Sequence, residues 1–192
     1  MTLTTVLDEL LEIEGKRDTL TRIERFPPKP AQWGPWPEVL RSEIREALQQ
    51  KGIDRLYSHQ SQAIQAAIAR KNLVIVTPTA SGKTLCYNLP VIQSVLEDAN
   101  ARALYLFPTK ALAQDQMAEL QDVCKRLESV NLSLGAFTYD GDTPADARRA
   151  VRSKAHVVIT NPDMLHTGVL PHHTKSSRFF GNLKYVVVDE LH

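Results

Sequence analysis

The sequence has little cysteine, no long apolar run and almost no net charge across its 192 residues. Two cysteines, Cys86 and Cys124, cannot build a disulfide framework and have no partner at metal-ligand spacing. Both fall in helical patterns, so a reducing, cytoplasmic setting is expected. No apolar stretch approaches membrane-spanning length, and no membrane partner is expected. The N-terminus carries Asp8, Glu9, Glu12 and Glu14 in place of a basic segment ahead of an apolar one, so no secretory signal is read. Lys and Arg number 23 against 22 Asp and Glu, which leaves +1, so any basic footprint for nucleic acid has to be local. What the chain does have is 43% hydrophobic residues, enough for a core and too much for disorder. Its length suits one domain with an appendage.

The most informative stretch runs from Leu73 to Thr84. Leu73-Val74-Ile75-Val76 is apolar and mostly β-branched, and predicts a buried strand. Thr77-Pro78-Thr79-Ala80-Ser81-Gly82-Lys83-Thr84 fits the phosphate-binding loop except at Thr77, where glycine is usual. A helix pattern follows, with Leu85, Leu89, Ile92 and Leu96 on one face. In such a loop the backbone N–H groups hold phosphate oxygens, and the helix N-terminus adds donors and a positive dipole end. Lys83 supplies charge for the β- and γ-phosphates, and the Thr84 hydroxyl is a ligand for Mg²⁺. Gly-Lys-Thr alone is also compatible with an ordinary Ser/Gly loop.

Residues 2–25 show helical spacing of Val6, Leu10, Ile13, Leu20 and Ile23, which predicts a surface helix packed on the rest. Residues 26–37 form a proline-dense connector whose prolines forbid helix. Its Trp33 and Trp36 are read as anchors onto the domain rather than base-stacking platforms. The boundary between this helical N-terminal part and the main domain is placed at residues 50/51. A helix is expected from Glu38 to Lys51 with Gly52 as its cap. Ser58 is the expected N-cap of the next helix. Near its start Gln60 offers an amide donor and acceptor of the kind adenine's edge requires.

Further strands are expected over residues 103–107, 132–137, 156–159 and 185–188, separated by helical patterns that include residues 111–127. Thr143 as N-cap and Pro144 at the first helical position predict a helix carrying Arg148, Arg149 and Arg152. Those arginines either extend a basic track or form a solvated face. Residues 171–177 read as a polar loop whose His172–His173 pair lacks a third metal ligand. The alternation of strands and helices predicts an α/β fold with a parallel sheet and helices on both faces. Ligands in such sheets gather at the carboxyl ends of the strands, and all the polar motifs fall at expected strand ends. The last of these is Asp189-Glu190, after three valines. Asp189 can hold Mg²⁺, and Glu190 can orient or deprotonate a water that attacks the γ-phosphate.

Assembled in order, these segments resemble the first RecA-like motor domain of a superfamily 2 helicase of the DExH type, over Leu56 to His192. Thr77–Thr84 resembles motif I, Asp189-Glu190-Leu191-His192 motif II, and Pro108-Thr109-Lys110-Ala111-Leu112 motif Ia. Thr160-Asn161-Pro162-Asp163-Met164-Leu165 resembles the later nucleic-acid motif, and Tyr57 to Gln60 the adenine-reading motif. Leu56–Gln60, Tyr139–Pro144 and Asn161–His166 look most like the group that includes bacterial mitomycin-repair helicases and fungal RecQ-like relatives. The resemblance implies ATP and Mg²⁺ as ligands. It also implies single-stranded nucleic acid as partner, DNA rather than RNA, with 3′ to 5′ movement and a repair role. Tyr57 and Gln60 would then serve the adenine and His192 the coupling between motor domains. Pro108, Thr109, Lys110, Gly141, Thr160, Asn161 and Pro162 would meet the strand's phosphates, contacts that position without reading sequence.

Helicases of this kind also need a second, C-terminal RecA-like domain and, in the first, a strand after His192. That strand lies between the phosphate-loop strand and the Asp-Glu strand. Its lack predicts a sheet with a central gap and unpaired, valine-rich edges. The chain is therefore read as the N-terminal part of a longer protein, with hydrolysis depending on the missing parts. A double-strand DNA translocase and a nucleotide-binding fragment without motor activity are the alternatives. A P-loop kinase or small GTPase explains neither the DExH ending nor Pro108-Thr109-Lys110.

Overall fold

A computed structural model describes residues 3–15, 24, 26–27, 30–78, 81–127, 134–141 and 143–190. The chain divides into two compact units, Met1–Ala31 and Gln32–His192. In the first unit, helix α1 (Leu3–Gly15) exposes about half of Leu10 and of Ile13; residues 16–23 of the expected longer helix lie outside the described residues. The division falls ahead of the boundary expected at 50/51, and packing explains why. Helix α2 (Ser42–Gln50) buries Ile44, Ala47 and Leu48 in the main core, so it belongs to the second unit. It also starts later than expected, because Glu38–Leu40 close a turn in which Leu40 N–H donates to the Pro37 carbonyl.

The second unit is built on a four-stranded sheet of β3 (Arg102–Leu106), β4 (Ala136–Thr138), β5 (Val157–Thr160) and β6 (Leu183–Val188). All neighbouring strands are parallel, in the order β4-β5-β3-β6. A small antiparallel pair, β1 (Trp33–Gly34) with β2 (Leu56–Tyr57), stands apart from it. Gly34 lies so close to α3 (Ser58–Ile68) that an added Cβ would sit 2.8 Å from Ser61 Cβ and 3.0 Å from Ser58 Cα.

β3 and β5 are buried throughout, as the inner strands of a parallel sheet are, and alternate side chains feed two cores. On one face Ala103, Tyr105, Phe107, Val157 and Ile159 meet apolar residues of α2, α3, α4 (Lys83–Glu97) and α5 (Lys110–Arg126). On the other, Leu104, Leu106 and Val158 meet Val151 of α6 (Ala145–Lys154) and Phe179 of α8 (Ser177–Gly181). Between β5 and α8 the chain is helical almost throughout. It passes through α7 (Pro162–Met164), a wide turn over Leu165–Val169 and a tight helix over Leu170–Ser176. The loop expected at 171–177 is thus helical, and among the described residues no cluster of three metal-binding side chains forms there. Among the described residues no helix is long and apolar enough to cross a membrane.

Two expectations about strands change. The expected strand of residues 132–137 is observed only as β4, and residues 131–133 lie outside the described residues. The buried strand expected over Leu73–Val76 does not form: the segment is irregular, and Val74 and Val76 are 87% and 89% exposed. A strand needs a neighbour for its N–H and C=O groups, and this segment pairs with none among the described residues. β6 shows the complementary feature. It is the sheet's edge beyond β3, and Val186 and Val188 are 56% and 46% exposed. β6 is thus one of the two unpaired, valine-rich edges expected from the sequence; the other, at Leu73–Val76, is not a strand, so the sheet has no central gap.

Candidate nucleotide and nucleic-acid site

The phosphate loop meets the N-terminus of α4 at Gly82, whose φ of 72° is the left-handed conformation that glycine accepts without strain. Thr79 and Ala80 lie outside the described residues. The described part of the loop is tied internally. Thr77 Oγ1 and Ser81 Oγ share a hydrogen bond of 2.6 Å, and Lys83 Nζ donates to the carbonyls of Thr77 at 3.1 Å and Pro78 at 3.3 Å. The lysine ammonium therefore folds back over the loop whose phosphate-facing charge it is expected to supply.

Two side chains at the start of α3 grip the loop from outside. His59 Nε2 lies 3.1 Å from the Ser81 carbonyl, and Gln60 Nε2 donates to the Gly82 carbonyl at 2.9 Å. The other end of the Gln60 amide accepts from Tyr57 N–H at 2.8 Å, which makes Tyr57, not Ser58, the N-cap. Gln60 is 2% exposed, and both ends of the amide expected to read adenine are engaged within the chain. Tyr57 is stacked between Trp33, with centroids 4.9 Å apart, and His59, at 5.7 Å. Trp33 thus anchors on Tyr57 while remaining half-exposed, and Trp36 anchors through Nε1 to the Asp54 carbonyl at 3.3 Å. Gly82→Ala is expected to destabilise the fold by about 2 kcal/mol, from the left-handed φ and the lost Gln60 bond. The added Cβ would lie 2.5 Å from Gln60 Nε2, so that amide must leave its place. Thermal unfolding measures the loss; an unchanged melting temperature would show that the latch is not structural.

Tyr87 lies one helical turn beyond Thr84 on α4. Burial, first, and the Asp189 charge push the Tyr87 phenol well above its usual pKa, against a hydrogen bond with Thr84. The same hydroxyl donates to Gln116 Oε1 of α5 at 2.8 Å. Asp189 N–H continues the β6 ladder to the Leu106 carbonyl at 3.1 Å, so its carboxylate emerges at the strand's end. One hydroxyl and one carboxylate form the hard-oxygen donor set that suits Mg²⁺, which keeps most of its waters. Glu190 follows at φ 57°, with its N–H on Asp189 Oδ1 at 3.1 Å. Leu191 and His192 lie outside the described residues.

The other motifs meet at the carboxyl ends of β3, β4 and β5. Thr109, Lys110, Tyr139, Asp140, Thr160 and Asn161 line one small cleft there. Thr109 caps α5 by accepting from Leu112 N–H at 3.3 Å, and Asn161 caps α7 by accepting from Met164 N–H at 2.7 Å, with Pro162 opening that helix. Thr160 is buried and donates its hydroxyl to the Tyr139 carbonyl at 2.6 Å, so it braces the cleft rather than offering a donor to a strand. Pro108 and Gly141 are exposed at the rim. Arg148 is drawn inward, because its guanidinium donates to the carbonyls of Thr143, Asp140 and Gly141 and stacks over Tyr139. It holds the Asp140–Thr143 turn instead of extending a basic track. Thr143 serves the same turn, which leaves Pro144 as the cap residue of α6. The Arg152 side chain lies outside the described residues.

Residues 57–192 match the DEAD/DEAH box helicase family. The chain belongs to that family. This helicase chain is 50% identical over 186 residues to YprA of Bacillus subtilis, described as an uncharacterized ATP-dependent helicase, a match that covers 97% of the chain and 24% of YprA. It is 38% identical to the ATP-dependent helicase hrq1 of Schizosaccharomyces pombe, over 88% of the chain and 16% of hrq1. The crystal structure of the DUF1998 helicase MrfA bound to DNA and AMPPNP superposes with a TM-score of 0.82 at 48% identity, over 93% of this chain and 25% of MrfA. These relatives belong to the RecQ-like and mitomycin-repair group that the motifs resemble, and the likeness to MrfA establishes the RecA-like helicase fold. The chain spans a quarter or less of the length of each.

Three residues carry contacts to which the sequence assigned no role: His59, Tyr87 and Asp140. His59 reaches the phosphate loop only through the placement of α3, whereas Tyr87 lies one turn after Thr84 on α4 itself. Asp140 sat inside a quoted motif, yet nothing in its spacing indicated that it would face Lys110.

Proposed function

We propose that this chain is the nucleotide-binding motor domain of an ATP-dependent helicase that moves 3′ to 5′ on single-stranded DNA and acts in DNA repair in the cytoplasm. The observation that carries the reading is the phosphate loop itself, which opens into α4 through the left-handed Gly82 and holds the Lys83 ammonium over its own carbonyls. ATP would place its phosphates on the loop, with Lys83 turning from its carbonyl contacts toward the β- and γ-phosphates. Thr84 and Asp189 would hold Mg²⁺, whose charge neutralises the transferred phosphoryl group. Glu190 would orient the attacking water and take its proton. Tyr57 and Gln60 would border the adenine, with Gln60 holding the loop through the Gly82 carbonyl. A second RecA-like domain would supply the arginines that face the γ-phosphate, with His192 coupling the two. Closing the cleft between them would advance the strand bound at Pro108–Lys110, Gly141 and Asn161.

The structure of MrfA bound to DNA supports DNA as the partner. The test is strand displacement by the full-length protein on duplexes with a 3′ or a 5′ single-stranded tail. ATP-dependent displacement from the 3′-tailed substrate is expected. ATP-driven translocation without a displaced strand would favour a double-strand translocase instead.

A further inference from the structure

We propose that Asp140 competes with nucleic-acid phosphate for Lys110 and thereby sets how weakly this surface holds a strand. The inference rests on the nucleic-acid reading of the cleft. β5 separates β4 from β3 in the sheet, so the residues that follow β4 and β3 reach each other across the end of β5. Asp140 follows β4, Lys110 follows β3, and Asp140 Oδ2 lies 3.9 Å from Lys110 Nζ. The carboxylate is divided between two tasks. Its Oδ1 accepts from Thr143 Oγ1 at 3.0 Å, while Asp140 N–H donates to the same hydroxyl at 2.9 Å. Arg148 closes the turn on the Asp140 carbonyl at 3.3 Å. Asp140 is thus fixed by its own turn, whether or not Lys110 is near.

Lys110, by contrast, is half-exposed on a long, mobile stem, and a solvated pair at this distance is weak and exchangeable. A phosphate arriving at Lys110 meets a lysine already shared and a carboxylate that cannot withdraw. The contact forms, but the carboxylate repels the phosphate throughout. A strand that must be released at every step of a motor needs contacts of this strength, which position without trapping.

The test is equilibrium binding of a fluorescent single-stranded oligonucleotide to the full-length protein across a salt series. Asp140→Asn removes the charge and keeps an oxygen for Thr143. It is expected to tighten binding about 3- to 10-fold at low salt and to steepen the slope of log K against log salt by about 0.7, one further ion on a single strand. In a Lys110→Ala background the gain should fall to within about twofold. Thr143→Val, which loosens the turn but keeps the charge, should not tighten binding. If Lys110→Ala weakens binding while Asp140→Asn changes neither affinity nor slope, the inference fails and the nucleic-acid reading stands. An undiminished gain in the Lys110→Ala background, or tightening by Thr143→Val, also overturns it. If Lys110→Ala changes nothing, the cleft is not a strand site and both readings fall.

Discussion

Glu190→Gln in the full-length protein is expected to leave nucleotide affinity within about twofold and to lower the rate of ATP hydrolysis about 1,000-fold, the scale of a lost general base. The expectation comes from how the chain leaves the sheet. The β6 ladder runs to Asp189, whose N–H is still bonded to Leu106. The next residue departs from strand geometry into the left-handed region, a conformation that costs a non-glycine residue of order 1 kcal/mol. Asp189 therefore ends the strand, and Glu190 leaves it in a different backbone conformation with its N–H on Asp189 Oδ1. Glutamine keeps the length and the hydrogen-bonding oxygen of Glu190 but cannot take a proton. Titration with a fluorescent nucleotide and phosphate-release kinetics separate the two effects. Turnover within tenfold of the parent would assign the water to another residue.

Lys83→Ala should weaken nucleotide binding at least about 100-fold, or about 2.7 kcal/mol. Lys83 is the first residue of α4, placed by the left-handed Gly82 so that its stem curls over the loop. Its ammonium is held by two backbone carbonyls, contacts that phosphate oxygens readily replace. Alanine leaves the loop's N–H donors in place but removes the charge that distinguishes a phosphate site from a polar turn. The variant should still fold, because Leu85, Leu89 and Ile92, which fasten α4 to the core, are untouched. Isothermal titration with a non-hydrolysable ATP analogue reads the change. Unchanged affinity would falsify the assignment of the loop.

The cysteines bear on the setting in which such assays are read. Burial pushes the Cys86 thiol up to about 11 and the Cys124 thiol to about 12, so neither forms a reactive thiolate near neutral pH. Both are free, as the sequence led us to expect.

Much of this protein was legible in its sequence, because chemistry that handles phosphate depends on short-range geometry. Gly82, Lys83 and Thr84 must be consecutive for a loop to open into a helix, and an Asp-Glu pair after three valines marks a strand end wherever the strand lies. Periodicity likewise set the parallel strands β3 and β5 and the helices around them, since burial on both faces leaves an apolar run that little else produces. Tertiary structure decided what depends on neighbours. Leu73–Val76 has the composition of a strand, but composition supplies no hydrogen-bonding partner, and without one the segment stays irregular and exposed. Gln60 carries the donors and acceptor that adenine would want, yet the cap of α3 takes its oxygen and the packing of α3 against the phosphate loop takes its amino group. Arg148 and Thr160 read as polar groups for a strand until the turn after β4 and the end of β5 claimed them. Asp140 meets Lys110 only because β5 lies between β4 and β3, and strand order is a long-range property that no local pattern of residues encodes.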